Sequence, residues 1–287
     1  MQKKTLHELN LMDDFLFYKL VSHPVFGQEF GKELLRIILG KTVGKLTVVP
    51  QKVYYGADTM YHGARLDVYL EEEASVDNGG AIYDVEAEQT VKKEKLDDIP
   101  KRSRYYHSTI DAGALLAGAD YHDLKNVIVI MIMSKDPFDR DHIIYTIENH
   151  CKEIPDMPYD DGAKTIFLYT KGTKGSASEE LRSFLKYMEQ SLEENATSET
   201  IKKIHRMVTE IKRDKEASVE YMKACEREQM IREEGREEGR EEGVSLGESK
   251  FVRLVDALLK NDQTDMIPLV TKDATLREEY YKQYGIS

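Results

Sequence analysis

Hydrophobic positions recur at helical spacing at the start of the chain, alternate or run together through its middle, and return to helical spacing at its end. Leu11 to Val21 reads as a first helix, capped by Asp13 or Asp14, with Phe15, Tyr18 and Leu11 as its apolar stripe. Val25 to Leu39 continues with Phe26, Phe30, Leu34, Ile37 and Ile38 on one face, and Gly40 stops it. Glu33 falls on the polar side and reads as a solvated surface residue.

Period two then takes over. Leu46 to Tyr55 predicts a strand that Pro50 confines to an edge or a bulge. Ala64, Leu66, Val68 and Leu70 alternate with Arg65, Asp67 and Tyr69, and Tyr83, Val85 and Ala87 alternate with Asp84, Glu86 and Glu88. The acidic and glycine-rich connection, Glu71–Glu73 and Asp77–Gly80, supplies turn chemistry for an antiparallel hairpin. A helix from about Pro100 to Leu116 follows, and then the apolar run Asn126–Ser134, expected of a strand covered by helices on both faces. His142–Asn149 and Thr165–Thr170 are further strands, and Gly172, Gly175 and Ser176 mark a boundary. The reading is one domain over residues 1–175 and a helical, charged region over 176–287.

In that second region Leu181, Phe184, Leu185, Tyr187 and Met188 share a helical face, and a long helix runs from about Ser198 into the 230s. It meets a period-four repeat, Arg-Glu-Glu-Gly, over residues 232–243. Pairs such as Glu233 with Arg236 are weak supports, whereas Gly235, Gly239 and Gly243 each cost about 0.8–1 kcal/mol relative to alanine. The glycines win, which predicts a frayed helix or linker. Phe251, Leu254, Val255, Leu258 and Leu259 form an amphipathic helix after it, with a last one near Leu276–Tyr284; both suit packing or interaction rather than catalysis.

A net charge of −12, with neither half of the chain basic, argues against indiscriminate nucleic-acid binding and leaves a local cationic track or a metal as the route to a polyanion. No apolar run is long enough to span a bilayer, and the N-terminus lacks a signal-peptide pattern. Cys151 and Cys225 are too far apart in sequence to suggest a disulfide framework, which fits a cytoplasmic protein.

The hairpin holds the candidate chemistry. If its apolar faces share the core side, Asp67 meets the acidic row of the second strand, and a divalent cation is the usual way to offset such repulsion. Asp67 and Glu86 would hold Mg²⁺, and the group two residues after Glu86 could orient a water. An Asp and a Glu on neighbouring strands occur in many sheets, so spacing alone does not separate a metal site from an ordinary acidic face. Lys101, Arg102 and Arg104, beside Tyr105, Tyr106 and His107 at a helix start, are candidates for phosphate contact or, equally, for a solvated basic face.

Leu11-Met-Asp-Asp-Phe-Leu-Phe, Gly63-Ala-Arg-Leu-Asp-Val, Tyr83-Asp-Val-Glu, Lys101-Arg-Ser-Arg-Tyr-Tyr, Asp136-Pro-Phe and Tyr145-Thr-Ile-Glu-Asn, in that order, resemble the recombination-promoting nuclease (Rpn) family. Its members are commonly labelled PD-(D/E)XK nuclease family transposases. The resemblance covers roughly residues 8–175, and the glycine-punctuated tail is also similar to that family's C-terminus. It implies an α/β, restriction-endonuclease-like core with a mixed sheet flanked by helices, in the order α-β-β-β-α-β, followed by a helical extension. It also implies Mg²⁺-dependent DNA endonuclease chemistry in recombination or mobile-element biology, with Asp67 and Glu86 on the metal-binding positions. No second acidic cluster of the kind strand transfer requires is evident.

One position departs from the pattern. Where the superfamily has Lys and this family often has Gln, the chain has Glu88, and Gln89 lies one place further on. Three arrangements follow. A β-bulge could turn Gln89 into the site. Glu88 could be a third metal ligand, leaving water activation to Lys92 or Lys93. Or the site could be degenerate, the protein then acting as a DNA-binding or interaction module, with its C-terminal helices a surface for homo-oligomerisation.

Overall fold

The computed structural model describes residues 4–54, 64–74 and 80–286, leaving aside the side chain of Lys93. The turn expected at Asp77–Gly79 and the Gly63 start of the hairpin lie outside the described residues. Two compact units are present, residues 1–219 and 220–287. The first therefore extends past the boundary expected at residue 175.

The first unit opens with α1 (Asp14–Val21) and α2 (Gly27–Leu39). Asp13 occupies the N-cap position, but its carboxylate accepts from the Asn10 amide at 2.6 Å instead of capping α1. The buried face of α1 is Leu16, Phe17, Leu20 and Val21, with Phe15 and Tyr18 only half-buried. The expected stripe is thus rotated, because α1 is in contact with α2, with the sheet and with a later helix at once. Gly40, at φ 66°, closes α2 in the left-handed conformation that glycine adopts without strain. Glu33 is more than a solvated residue: it accepts from Arg36 at 3.0 Å and from Lys203 at 2.9 Å, and Arg36 reaches Glu180 at 2.7 Å.

Strands β1 (Leu46–Pro50), β2 (Val53–Tyr54), β3 (Ala64–Arg65), β4 (Val68–Glu72) and β5 (Ala81–Glu88) come next, followed by helix α3 (Ile99–Ala114) and strands β6 (Asn126–Met133), β7 (Ile144–Glu148) and β8 (Ala163–Tyr169). Six of the strands form one sheet in the order β1-β4-β5-β6-β8-β7, and β2 pairs with β3 apart from it. β5–β6 and β6–β8 are parallel and the other neighbours antiparallel. Pro50 ends β1 at the sheet edge, where its missing N–H is tolerated.

The first arm of the hairpin is not one strand. After β3 the chain bends at Asp67 before β4 begins, and the Gln51 amide holds the bend by donating to the Asp67 carbonyl at 3.0 Å. The bend breaks the alternation. Ala64 and Leu66 join Tyr69, Ile82, Val129, Met131 and Met133 in the core beneath α3, whereas Leu70 lies on the opposite face, beneath Gly31 of α2. A Cβ on Gly31 would come within 3.2 Å of Leu70, so glycine allows that helix to approach closely.

Residues 176–219 are built back onto this body. α4 (Glu179–Glu189) is capped by Ser178, whose hydroxyl accepts from the Leu181 amide at 3.1 Å, and it buries Leu181, Phe184, Leu185, Tyr187 and Met188. The Met12 amide donates to the Met188 carbonyl at 3.1 Å, and the Leu11 amide to Ser191 at 2.8 Å. α5 (Glu199–Arg213) packs on α1 and ends at Asp214.

α6 (Lys215–Lys260) is then continuous over 46 residues, including the whole Arg-Glu-Glu-Gly repeat. Of the two forms expected there, frayed helix or linker, the linker is corrected: the repeat is helical. The glycine penalty lowers helix stability without dictating a break: Gly235, Gly239 and Gly243 keep negative φ, and no proline or left-handed residue interrupts the run. Within the second unit Leu254 and Leu258 pack with Val270 of α7 (Ile267–Lys272) and with Leu276 and Tyr280 of α8 (Ala274–Gln283). Among the described residues no helix is long and apolar enough to cross a membrane.

Candidate active site

β5 lies in the sheet interior, between β4 and β6, so its alternate residues are buried on both faces. The face carrying Asp84, Glu86 and Glu88 was expected to be an acidic surface; it is instead roofed by α3. Pairing is one-to-one from Ala81 with Asn126 to Glu88 with Met133, and the Ser134 amide continues the ladder to the Glu88 carbonyl at 3.1 Å. No bulge interrupts β5. Glu88 therefore keeps the face of Glu86, and Gln89 follows the last paired residue, half-buried.

Asp67 and Glu86 are brought together by the bend before β4. The Asp67 amide donates to Glu86 Oε1 at 2.8 Å. The other oxygen, Oε2, accepts from Arg102 Nη2 at 2.8 Å and from the Tyr106 hydroxyl at 3.3 Å. Arg102 also forms an ion pair with Glu88, and its Nε donates to the Tyr106 hydroxyl at 2.7 Å. Arg102 comes from α3, one turn before Tyr106, so a single helix face delivers both groups to the acids.

Burial dominates the electrostatics. Desolvation, with Glu86, Asp14 and Glu88 adding repulsion, pushes Asp67 up to about 7. Glu86, only 2% exposed, is raised mainly by desolvation, although the Asp67 amide and Arg102 pull it down. Asp84 is raised well above the usual carboxylate range by burial and by Glu86 and Asp67, and neither of its oxygens has a hydrogen-bond partner among the described residues. For Arg102 burial works against the charge, and Glu88, Tyr106 and Glu86 overcome it and raise the guanidinium.

Asp14 is a member that sequence reasoning missed, because it was taken only as a candidate cap. The first turn of α1 brings it to a small cavity shared with Asp67, Arg65, Gln51 and Ala87. Burial and Glu88 raise its carboxyl. The Leu11-Met-Asp-Asp motif was the available signal, but only packing of α1 against the sheet shows which acid faces Asp67.

The expected phosphate contacts separate. Arg102 is engaged by Glu86 and Glu88. Lys101 is exposed on a cleft with Lys92 and Lys95, and Arg104 lines a different cleft with His107, whose Nε2 meets Thr165 at 3.0 Å.

Asp14, Asp67, Asp84, Glu86 and Glu88 offer carboxylate oxygens, the hard ligands that Mg²⁺ takes. Asp67, raised by burial and then by its acidic neighbours, and Asp84, whose oxygens have no hydrogen-bond partner among the described residues, are the features a cation would relieve. The donor chemistry thus fits the metal, but Glu86 already shares its oxygens with an amide and with Arg102. Among the described residues no three His, Cys, Asp or Glu side chains converge as a ready metal cage.

No curated protein and no solved structure matches the chain. A family model described as PD-(D/E)XK nuclease family transposase matches residues 11–236, a span that includes the bend at Asp67, the acids of β5 and the basic start of α3, and the chain belongs to that family.

Proposed function

We propose that this protein is a Mg²⁺-dependent endonuclease that hydrolyses DNA phosphodiester bonds. The observation that carries the reading is the juxtaposition of Asp67, at the bend before β4, with Glu86 of β5 in a chain of this family. Asp67 and Glu86 would hold the metal, with Asp14 beside them. When bound, Mg²⁺ supplies polarisation of the phosphate and a lowered pKa for a nearby water.

The chain's own groups have the remaining tasks. Glu88, on the face of Glu86, orients the attacking water and takes its proton. Arg102, beside Glu86 and Glu88, would stabilise negative charge growing on the phosphate oxygens, with Tyr106 fixing its guanidinium. Gln89, beyond the regular strand, has a lesser part. Lys92 and Lys101, on the neighbouring cleft, meet the DNA backbone. A role in recombination or mobile-element biology, a cytoplasmic setting and homo-oligomerisation through the C-terminal helices belong to the same reading. Exposed Met230, Ile231, Val244 and Leu246 on α6 support the last of these.

A second reading has a specific observation behind it. Arg102 satisfies both Glu86 and Glu88, so an internal cation could stand in for the metal and leave a DNA-binding or interaction module that does not cut. Plasmid nicking with Mg²⁺ and with EDTA separates the two, comparing wild type with Asp67→Ala and Glu86→Ala. Nicking in Mg²⁺ that both substitutions abolish supports the nuclease. Nicking that survives both removes this site, and a wild type inactive with every divalent metal supports the second reading.

A further inference from the structure

Beside the acids, between β3 and the start of α3, a cleft of about 810 Å³ opens, within the range of cavities that enclose small organic groups. Its rim is cationic. Arg65, Lys92, Lys95 and Lys101 all line it and are exposed. Two acids also line it, but Glu88 is engaged by Arg102, and Asp98 lies 4.0 Å from Lys101. The wall is of another kind: Ile99 and Tyr105 contribute apolar and aromatic surface, with Tyr105 38% exposed.

These two features make different demands. A cationic rim serves any nucleic-acid backbone. An aromatic wall does nothing for a duplex, whose bases are stacked on each other and whose outer surface is sugar and phosphate. It does serve a strand whose bases are unstacked, because every base has a π-face that can lie on a tyrosine ring. The cavity is also too small to admit a duplex, yet it ends at Glu88 and Arg102 of the acidic site.

We propose that this cleft binds single-stranded DNA, so that the strand to be cut is presented as a frayed end, flap or loop with a base stacked on Tyr105. The inference rests on the nuclease reading for the identity of its ligand, but binding can be measured without cleavage. In EDTA, the anisotropy of a fluorescein-labelled oligothymidine is compared with that of a labelled blunt-ended, GC-closed duplex of two separate strands carrying the same number of phosphates. The single strand is expected to bind at least about tenfold more tightly at equal salt. Tyr105→Leu should weaken the single strand about tenfold and leave the duplex value in place. Lys92→Glu combined with Lys95→Glu should lower the slope of log K against log salt by about 0.7 for each lysine that meets a phosphate.

All of these positions are exposed, and a melting temperature equal to that of wild type shows that each variant is folded. A duplex bound as tightly as the single strand overturns the proposal, as does a folded Tyr105→Leu that binds oligothymidine normally. Mg²⁺-dependent nicking that persists in either case leaves the nuclease reading standing. Conversely, a protein that never cuts but shows the strand preference keeps the cleft and loses the nuclease.

Discussion

β5 and α6 are both rich in acids, and they show that a charged residue is defined by its surroundings. On β5, Asp84 and Glu86 are buried in a sheet interior, and burial and mutual repulsion raise both carboxyls. On α6, Glu237 is exposed, and its hydrogen bond with Arg240 lowers it. The arginine on β5's side, Arg102, is two-thirds hidden and satisfies two acids at once, whereas Arg240 pairs with its own helical neighbour. Burial makes ionisation costly in the first set. Exposure makes the second set a solubilising surface in which individual charges matter little.

The largest effect expected from breaking this contrast is on cleavage. Removing groups that merely support a metal ligand commonly costs about 10–100-fold, so Asp67→Ala or Glu86→Ala should lower Mg²⁺-dependent nicking by at least about a hundredfold. Initial nicking rates at saturating Mg²⁺ measure this.

Next in size is a stability effect. Arg102→Met leaves Glu86 buried without its cation and should destabilise the first unit by about 3 kcal/mol, at the low end for a broken buried pair because Arg102 is 33% exposed. Urea unfolding followed by near-UV circular dichroism gives the number, and added Mg²⁺ should recover part of the loss. Arg240→Ala on α6 is the paired control, with no change in the same transition.

The pH dependence has a definite sign. Asp67 titrates at about 7 when folded and near 3.8 otherwise, so the folded state holds its proton more tightly. Metal-free stability should therefore fall as pH rises from about 4 to about 7 and then level. Asp84 and Glu86, also raised, add to the fall, and Asp67→Asn removes the Asp67 share of it, so the urea midpoint of the variant should match wild type near pH 4 and exceed it at pH 8.

The smallest effect lies on α6. Gly235→Ala, Gly239→Ala and Gly243→Ala should each stabilise the helix by about 0.8–1 kcal/mol, since an added Cβ meets nothing within 4 Å. Hydrogen exchange across residues 232–247 should slow, while exchange in β5 and β6 stays the same.

Much of the architecture was legible in the chain. The apolar run Asn126–Met133 is the doubly covered strand it was read to be, and Gly40 ends α2. Two readings failed for the same reason. The Ala64–Leu70 alternation was taken as one strand, and the 232–243 repeat as a frayed helix or linker, because period and propensity are local and say nothing of a bend fixed by Gln51 or of a helix continuing on both sides. The site was legible only as pairs. Asp67 and Glu86 could be placed opposite each other from alternation, but Arg102 was read as a phosphate contact or part of a solvated basic face, and Asp14 only as one of two candidate caps.

The sequence by itself determined the alternation that puts Asp84, Glu86 and Glu88 on one face, since a strand has period two wherever it is placed. It also determined the apolar stripes that make the helices pack. Only the tertiary structure decided that α3 covers that face and lowers Arg102 onto Glu86 and Glu88, that α1 brings Asp14 beside Asp67, and that the Asp84 oxygens are buried without a hydrogen-bond partner among the described residues. The physical reason is that a side chain's charge state depends on what surrounds it, and here the surroundings come from helices distant along the chain.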